Sequence, residues 1–358
     1  MPGKSYRIGI AGATSLAGKE LNEVLGDSAL ASSDFVLMDE VEAIGQLEAV
    51  GDEITFVQPL DANSFRGMDF VFFAGQPEAA KKYWRQAARD GASIVDLTYA
   101  LETEPGVLVR APWVTEVLGG ETARSGNGKP AHISAPDLKT PAVIAAHPAA
   151  LMLALVVARL HRALPLRQVA ATVLEPASQY GRAAMDELHQ QTVNLLSFQP
   201  LPKEQYDVQV AFNLTPALGD VAKVNLAATD QRIREHYAAL SAGRLPELAL
   251  QLVQAPAFHG YVASLMVELA APAAVEQVET ALEGEHVEVV LGEADAPSNL
   301  TSAGQEEVLV RLRPEPANSM ETTRFWLWLA NDNLKLTALN AVACAQELGR
   351  LRPQGKVQ

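Results

Sequence analysis

The chain has 358 residues, nearly half of them apolar and a fifth charged, which is enough to bury a sizeable core and suggests two domains. A net charge of −15, from 28 basic and 43 acidic side chains, argues against nucleic acid or an anionic membrane as partner, because phosphate binding needs a basic face. The lone cysteine, Cys344, excludes an internal disulfide framework. No signal peptide is evident, and the most apolar stretch, Pro148 to Ala158, is too short to cross a bilayer, so a cytoplasmic location is expected.

The first stretch, Arg7 to Leu25, reads as a short buried strand, a glycine-containing turn and an amphipathic helix. Gly12 permits a tight turn and Gly18 lets the helix pack closely on the strand, which is how dinucleotide-binding loops aim backbone N–H groups at a pyrophosphate. The pattern is G-x-x-S-x-x-G, so Ser15 places a side chain where a middle glycine would allow the closest approach. A plain strand and helix with no ligand is the alternative reading. Asp34 to Asp39 is a second strand, with Asp39, Glu40 and Glu42 clustered at its end. An acid there accepts hydrogen bonds from ribose hydroxyls and repels a 2′-phosphate, which favours NAD over NADP; an ordinary acidic loop is the alternative.

Met68 to Gly75 is a buried strand, Pro77 to Asp90 a helix and Ala92 to Leu97 the next strand. Strands alternating with helices predict a doubly wound parallel sheet. Residues 119–130 form a polar loop, Ala142 to Ala146 restores a buried strand, and Ala149 to Leu164 is a strongly apolar helix. Beyond Arg167 the predicted strands are Gln168 to Leu174, Val208 to Leu214, Leu248 to Phe258, Tyr261 to Leu269, Val287 to Leu291, Glu307 to Leu312 and Thr323 to Leu329. Helices are expected at Gly181 to Leu196, Asp230 to Ala242 and Pro272 to Leu282, the last begun by proline. This second half has the pattern of an α+β domain with a mixed, mostly antiparallel sheet. A final helix spans Leu334 to Leu351.

Read together, the motifs resemble those of aspartate-semialdehyde dehydrogenases: GATSLAG at 12–18, VDLTYALE at 95–102, IAAHPAALM at 144–152, QYGRAAMDELHQQT at 179–192, VQAPAFHGY at 253–261 and ANDNLKLTALNAV at 330–342. The resemblance implies a Rossmann-like NAD(P)-binding domain of residues 1–148 with 333–358, and a substrate and dimerisation domain of residues 149–332 in a homodimer. It implies cofactor binding, to NAD or NADP, by Gly12, Ala13, Thr14, Ser15, Leu16, Gly18, Ala74, Gly75, Ser178, Gly181 and Asn333, and the Ser15 side chain in the loop leads to the expectation that this binding is weak.

Enzymes of this family reduce aspartyl phosphate to the semialdehyde through a cysteine thioester. That chemistry needs a thiolate, an imidazole to move protons, and guanidinium groups to hold carboxylate and phosphate. Here the cysteine of the family's P-N-C motif falls on Ala150, its catalytic histidine on Tyr261, its carboxylate-binding arginine on Gln254, its phosphate-binding arginine on Glu102 and its substrate-contacting glutamine on Glu175. The chain resembles the usg-type homologues, which also lack the nucleophile. The resemblance therefore implies loss of the ancestral reaction and a role in nucleotide or small-ligand binding, with an oxidoreductase of altered substrate as the alternative.

Other chemistry finds little support. Cys344 lies in mid-helix, as a structural thiol would, and no nucleophile-elbow motif surrounds Ser178. His147, Glu175, His259 and Tyr261 would share the vacated pocket, where imidazoles and a carboxylate can hold a metal or move protons; a polar remnant with no metal is the preferred reading. His132, His161, His189, His236 and His286 have no motif context.

Overall fold

The structure is a computed structural model that describes residues 5–40, 45–50, 53–119, 135–292 and 294–351; Glu42, His132 and all of the 119–130 loop beyond Gly119 lie outside them. The chain forms two compact units, Met1–Trp113 with Ser134–Ala146 and Thr337–Gln358, and Val114–Ile133 with His147–Leu336.

In the first unit, seven strands form one parallel sheet. They are β1 (Arg7–Ala11), β2 (Asp34–Asp39), β5 (Gln58–Pro59), β6 (Phe70–Phe73), β7 (Ser93–Asp96), β8 (Leu108–Arg110) and β9 (Val143–Ala145), in the order β5-β2-β1-β6-β7-β9-β8. The hairpin β3 (Leu47–Val50) and β4 (Glu53–Phe56) stands apart as a two-stranded sheet. Helices cover both faces of the large sheet, as the alternation requires. Leu21, Val24 and Leu25 of α1 (Leu16–Gly26) and Ala341, Cys344 and Leu348 of α8 (Asn333–Leu351) pack in the core with Ile8, Ile10 and Phe72. Ala80, Trp84 and Ala87 of α2 (Pro77–Arg89) belong to the core of the opposite face, with Val71 and Phe73.

In the second unit, six strands form a mixed sheet of order β11-β10-β12-β15-β14-β13: β10 (Leu166–Glu175), β11 (Leu248–Gln254), β12 (Tyr261–Ala274), β13 (Val287–Val289), β14 (Val308–Glu315) and β15 (Glu321–Asn331). The three central pairings are antiparallel and the two outer ones parallel. One face is apolar and buried, with Val169, Ala171, Val173, Ala263, Leu265, Leu327 and Leu329. Three helices pack on the sheet, α4 (Pro148–Ala163), α6 (Leu226–Ser241) and α7 (Val275–Leu282). Residues Pro148 to Leu160 of α4 are all buried, as expected of a helix that is apolar all round. Short α3 (Pro112–Val117) and α5 (Arg182–Leu196) complete the helices.

Two sequence expectations fail here. Val208 to Leu214 is not a strand: Asp207 and Phe212 take positive φ, and the N–H groups of Val210 and Ala211 donate to the Gln191 side-chain oxygen at 2.8 and 3.2 Å. Its buried apolar residues are packed by a side-chain clamp and not by strand pairing. Nor does Pro272 begin a helix. It lies in the far end of β12, where the pairing with β15 shifts register between Glu268 and Ala273, and α7 starts three residues later. The hairpin β3–β4, with β5, β8 and α3, are elements the sequence reading did not identify.

Candidate functional site

The turn after β1 is built by glycine. Gly12 takes φ +88°, and a Cβ there would stand 2.2 Å from the backbone of Gly75 in the turn after β6, so the two turns can meet only with no side chain at either residue. β1 and β6 are neighbours where the strand order reverses, the crevice in which doubly wound sheets bind ligands. Gly18 acts as the sequence suggests, since a Cβ there would lie 2.2 Å from the Gly12 carbonyl oxygen. Ser15 does more than crowd the turn: its hydroxyl caps α1 by accepting from Gly18 N at 2.9 Å and donates to the Ala74 carbonyl at 2.7 Å.

The loop donors are largely committed. The N–H groups of Gly12 and Ala13 bond to Met38 O, that of Ser15 bonds to Gly12 O, and Asp39 Oδ2 accepts from both the N–H and the hydroxyl of Thr14, at 2.8 and 2.7 Å. Leu16 and Ala17, first in α1, keep N–H groups that a helix leaves without an internal acceptor, and these fit a pyrophosphate. Asp39, at the end of β2, carries the negative charge expected there, with Oδ1 accepting from Glu40 N at 2.9 Å.

The second unit gathers polar groups at the ends of its central strands. Glu175 closes β10, Gln254 closes β11 directly opposite it, and Tyr261 opens β12. All three are wholly buried, as is Ala150 in the first turn of α4. The Tyr261 hydroxyl donates to Glu175 Oε2 at 2.9 Å and lies 3.5 Å from Nε2 of His147, the residue that heads α4. The His147 N–H in turn donates to Nδ1 of His236 on α6 at 2.9 Å. Gln254 Nε2 donates to the carbonyls of Glu175 and Ala255 at 3.0 and 3.1 Å.

Burial dominates the electrostatics. It pushes the Glu175 carboxyl up to about 8, against hydrogen bonds from Tyr261 and Tyr180, which act to lower it. Burial first, and then the charges of His236 and Arg232, hold the His147 imidazole well below its ordinary value. At neutral pH the cluster is therefore a mostly protonated acid, a phenol and a neutral imidazole, able to exchange protons or hydrogen bonds, with the Arg232 charge acting on both the acid and the imidazole.

Comparisons with known proteins agree along the whole chain. The family described as semialdehyde dehydrogenase, NAD binding domain, matches residues 7–144, and the semialdehyde dehydrogenase, dimerisation domain, matches residues 157–336. A USG-1 protein homologue of Pseudomonas aeruginosa is 32% identical over 95% of this chain and 97% of its own. The chain belongs to the aspartate-semialdehyde dehydrogenase family. An aspartate-semialdehyde dehydrogenase of Rickettsia bellii is 25% identical over 96% of this chain and 98% of its own. A solved structure described as a probable aspartate-semialdehyde dehydrogenase from Pseudomonas aeruginosa superposes with a TM-score of 0.80 at 27% identity, covering 97% of this chain and 99% of the other.

Within this family frame, the second unit brings together Glu175, Gln254 and Tyr261, with His147 one turn ahead of Ala150 on α4. Glu102 belongs to the first unit, where it is exposed after a turn that Asp96 fixes by accepting from Thr98 and Leu101. Among the expected cofactor residues, Ala74 and Gly75 adjoin the Gly12 turn. In the second unit Asn333 Oδ1 accepts from the Ser178 hydroxyl and Gly260 N, each at 3.0 Å, and Gly181 turns the chain into α5 at φ +82°. Cys344 is buried with its thiol pushed up by burial, 3.8 Å from the Arg110 carbonyl.

Among the described residues, no group of three His, Cys, Asp or Glu side chains is placed to hold a metal ion. His259 is half-buried. His236 was missed because it lies 89 residues from its partner and no local motif marks it. Among the described residues no helix is long and apolar enough to cross a membrane.

Proposed function

We propose that this chain is a nucleotide- and small-ligand-binding homodimer of the aspartate-semialdehyde dehydrogenase fold that no longer carries out reductive dephosphorylation of aspartyl phosphate. The observation that carries the reading is the head of α4: Ala150 occupies the position the family's motif gives to the thiol, and the buried residues at the motif's other positions in the second unit are Tyr261, Glu175 and Gln254, with His147 beside Tyr261. A methyl group forms no thioester. Gln254 offers hydrogen bonds without charge to a carboxylate, and a phenol of ordinary pKa near 10 is a poor proton carrier at neutral pH.

The test follows NADPH formation by absorbance with aspartate semialdehyde and phosphate supplied together. No phosphate-dependent turnover is expected, and Ala150→Cys should stay about 10⁴-fold or more below a competent enzyme, because the missing charge and imidazole each contribute about 2–4 kcal/mol to such transition states. Robust turnover by the unmodified chain would overturn the proposal.

The dimer is supported by the match to a dimerisation domain and by the second face of the six-stranded sheet. That face carries half-buried Met266 and Trp326 and exposed Trp328, more apolar surface than a solvated face needs. Light scattering at micromolar protein should give twice the 38.3 kDa chain mass, and a monomer would remove this part of the reading. The Tyr261–Glu175 pair also supports a second reading, an oxidoreductase that passes a proton through the phenol without a covalent intermediate. Substrate-dependent reduction of NAD or NADP with no phosphate requirement would favour it.

A further inference from the structure

β11 is the outermost strand of the six-stranded sheet, so one row of its backbone groups has no strand of that sheet beside it. Backbone groups alternate sides along a strand. The Ala255 N–H donates inward to the Glu175 carbonyl on β10 at 3.0 Å, so Gln254, Leu252, Leu250 and Leu248 turn their N–H and C=O groups outward. A neighbouring strand starts there and stops at once. Thr215 exchanges both backbone hydrogen bonds with Gln254, at 2.9 and 3.1 Å, as an isolated antiparallel bridge. The next residue, Pro216, has no N–H to give. At Ala217, which would face Leu252, the Thr215 hydroxyl takes both backbone groups: it accepts from the N–H at 3.3 Å and donates to the carbonyl at 2.6 Å. The chain therefore peels away from the edge, and the outward N–H and C=O of Leu252 have no partner among the described residues.

A cleft of about 500 Å³ opens between this edge and the segment that leaves it. It is lined by Leu252 of β11, Leu218 and Ala222 of that segment, and Leu226 at the start of α6, together with Asp220 and Asp230. The outer wall is fixed by contacts of its own. The Val221 N–H donates to Asp207 Oδ2 at 3.2 Å, the Gly219 N–H to the Tyr206 carbonyl at 3.2 Å and the Val224 N–H to the Gln205 carbonyl at 3.0 Å. The cleft is thus formed before anything enters it, at a volume usual for ligand sites. Asp230 is taken up by Arg234, which bonds both its oxygens, at 2.6 and 3.3 Å, and also covers the Leu250 carbonyl. Asp220 is exposed, and no lysine or arginine lines the cleft; the neighbouring Lys223 turns to Glu204 at 3.9 Å.

We propose that this cleft binds an extended peptide, which adds to β11 the strand that Pro216 interrupts. The peptide backbone exchanges two hydrogen bonds with Leu252, one apolar side chain lies among Leu218, Ala222 and Leu226, and a lysine or arginine reaches Asp220. Strand addition of this kind takes its affinity from main-chain bonds and its selectivity from side-chain pockets. Arg234 on the Leu250 carbonyl keeps the main-chain pairing short, so the apolar and basic side chains decide which peptide is taken. The inference goes beyond the reading above and holds whether or not the chain turns over a substrate.

The experiment titrates the full chain with acetyl-Leu-Lys-Leu-amide by calorimetry and maps the contact by hydrogen–deuterium exchange. The peptide should bind and slow exchange at Leu252. Replacing its lysine by glutamate should weaken binding about fivefold or more. Methylating its amide nitrogens one at a time should weaken at least one form about tenfold, because the methyl group removes the donor that meets the Leu252 carbonyl. Ala222→Trp fills the cleft and should weaken binding about tenfold; should it not fold, Asp220→Lys at an exposed position carries the same expectation. No binding at millimolar peptide, equal binding of the glutamate peptide, equal binding of every methylated form, or unchanged binding in either folded variant would each overturn the proposal. Protection confined to residues outside 205–254 would assign the peptide to another surface and overturn it as well.

Discussion

The Gly12 turn of the first unit and the polar strand ends of the second handle buried polarity in opposite ways. In the turn, every N–H from Gly12 to Ser15 has a partner, and Asp39 accepts from both the N–H and the hydroxyl of Thr14. At the ends of β11 and β15, by contrast, Gln254 Oε1 and both polar side-chain atoms of Asn331 have none among the described residues. A loop satisfied from within keeps its shape without a ligand and offers a visitor only the first N–H groups of α1. In the second unit Glu175 is held by the Tyr261 hydroxyl and Gln254 by two backbone carbonyls, bonds that form only once the strands lie side by side. The first region satisfies its polar groups within one loop, and the second does so between neighbouring strand ends.

The comparison breaks first at Gly12. Gly12→Ala places a Cβ 2.2 Å from the Gly75 backbone on a residue with φ +88°, and should destabilise the chain by about 3–5 kcal/mol in urea unfolding. Gly45→Ala is the control: its φ is +80° but nothing lies within 4 Å, so about 1 kcal/mol is expected. Equal effects would mean that the close contact of the two turns does not shape the loop.

A second measurement sharpens the contrast through pH. Glu175 is lifted from the ordinary 4.5 to about 8, so the folded chain binds its proton more readily than the unfolded chain over that interval. The stability this proton contributes is complete below about pH 4.5 and is lost as pH rises to about 8. Glu175→Gln removes the dependence. The wild-type chain should therefore lose about 2–4 kcal/mol relative to the variant between pH 5 and pH 8, and the comparison cancels the opposite contribution of His147, which stays neutral when folded. Parallel pH profiles would show that Glu175 titrates as an ordinary acid.

The smallest effect concerns the nucleotide. NAD should bind more tightly than NADP, and weakly, because Asp39 opposes a further phosphate and engages Thr14. Asp39→Asn keeps an acceptor for Thr14 while removing the charge, and should narrow the NAD preference about fivefold by calorimetry. Tighter binding of NADP by the unmodified chain would reverse the assignment.

Most of the fold was legible in the sequence wherever a segment carried its own signal. Val71 to Phe73 and Ile94 to Val95 announce interior strands by unbroken apolar runs, Pro77 and Pro148 open helices, and Gly12 and Gly18 mark a turn that no other residue can make so tightly. Local pattern failed where apolar burial came without pairing, as at Val210 and Ala211, and where strands were too short to show a period, as in β5 and β8. The family's motifs brought Ala150, Glu175, Gln254 and Tyr261 to attention from the sequence.

What the sequence by itself determined is the pair of folds and the residue types at the family's positions, because helix and strand periods, turn glycines and motif order are properties of neighbouring residues. Only the tertiary structure decided that Ser15 caps a helix, that His236 holds His147, and that Asn331 lies opposite Tyr261, and Gln254 opposite Glu175, at the buried strand ends. Those facts depend on which strand lies beside which and on what desolvation does to a carboxyl once three strands enclose it, and neither sheet register nor burial is encoded at any single place along the chain.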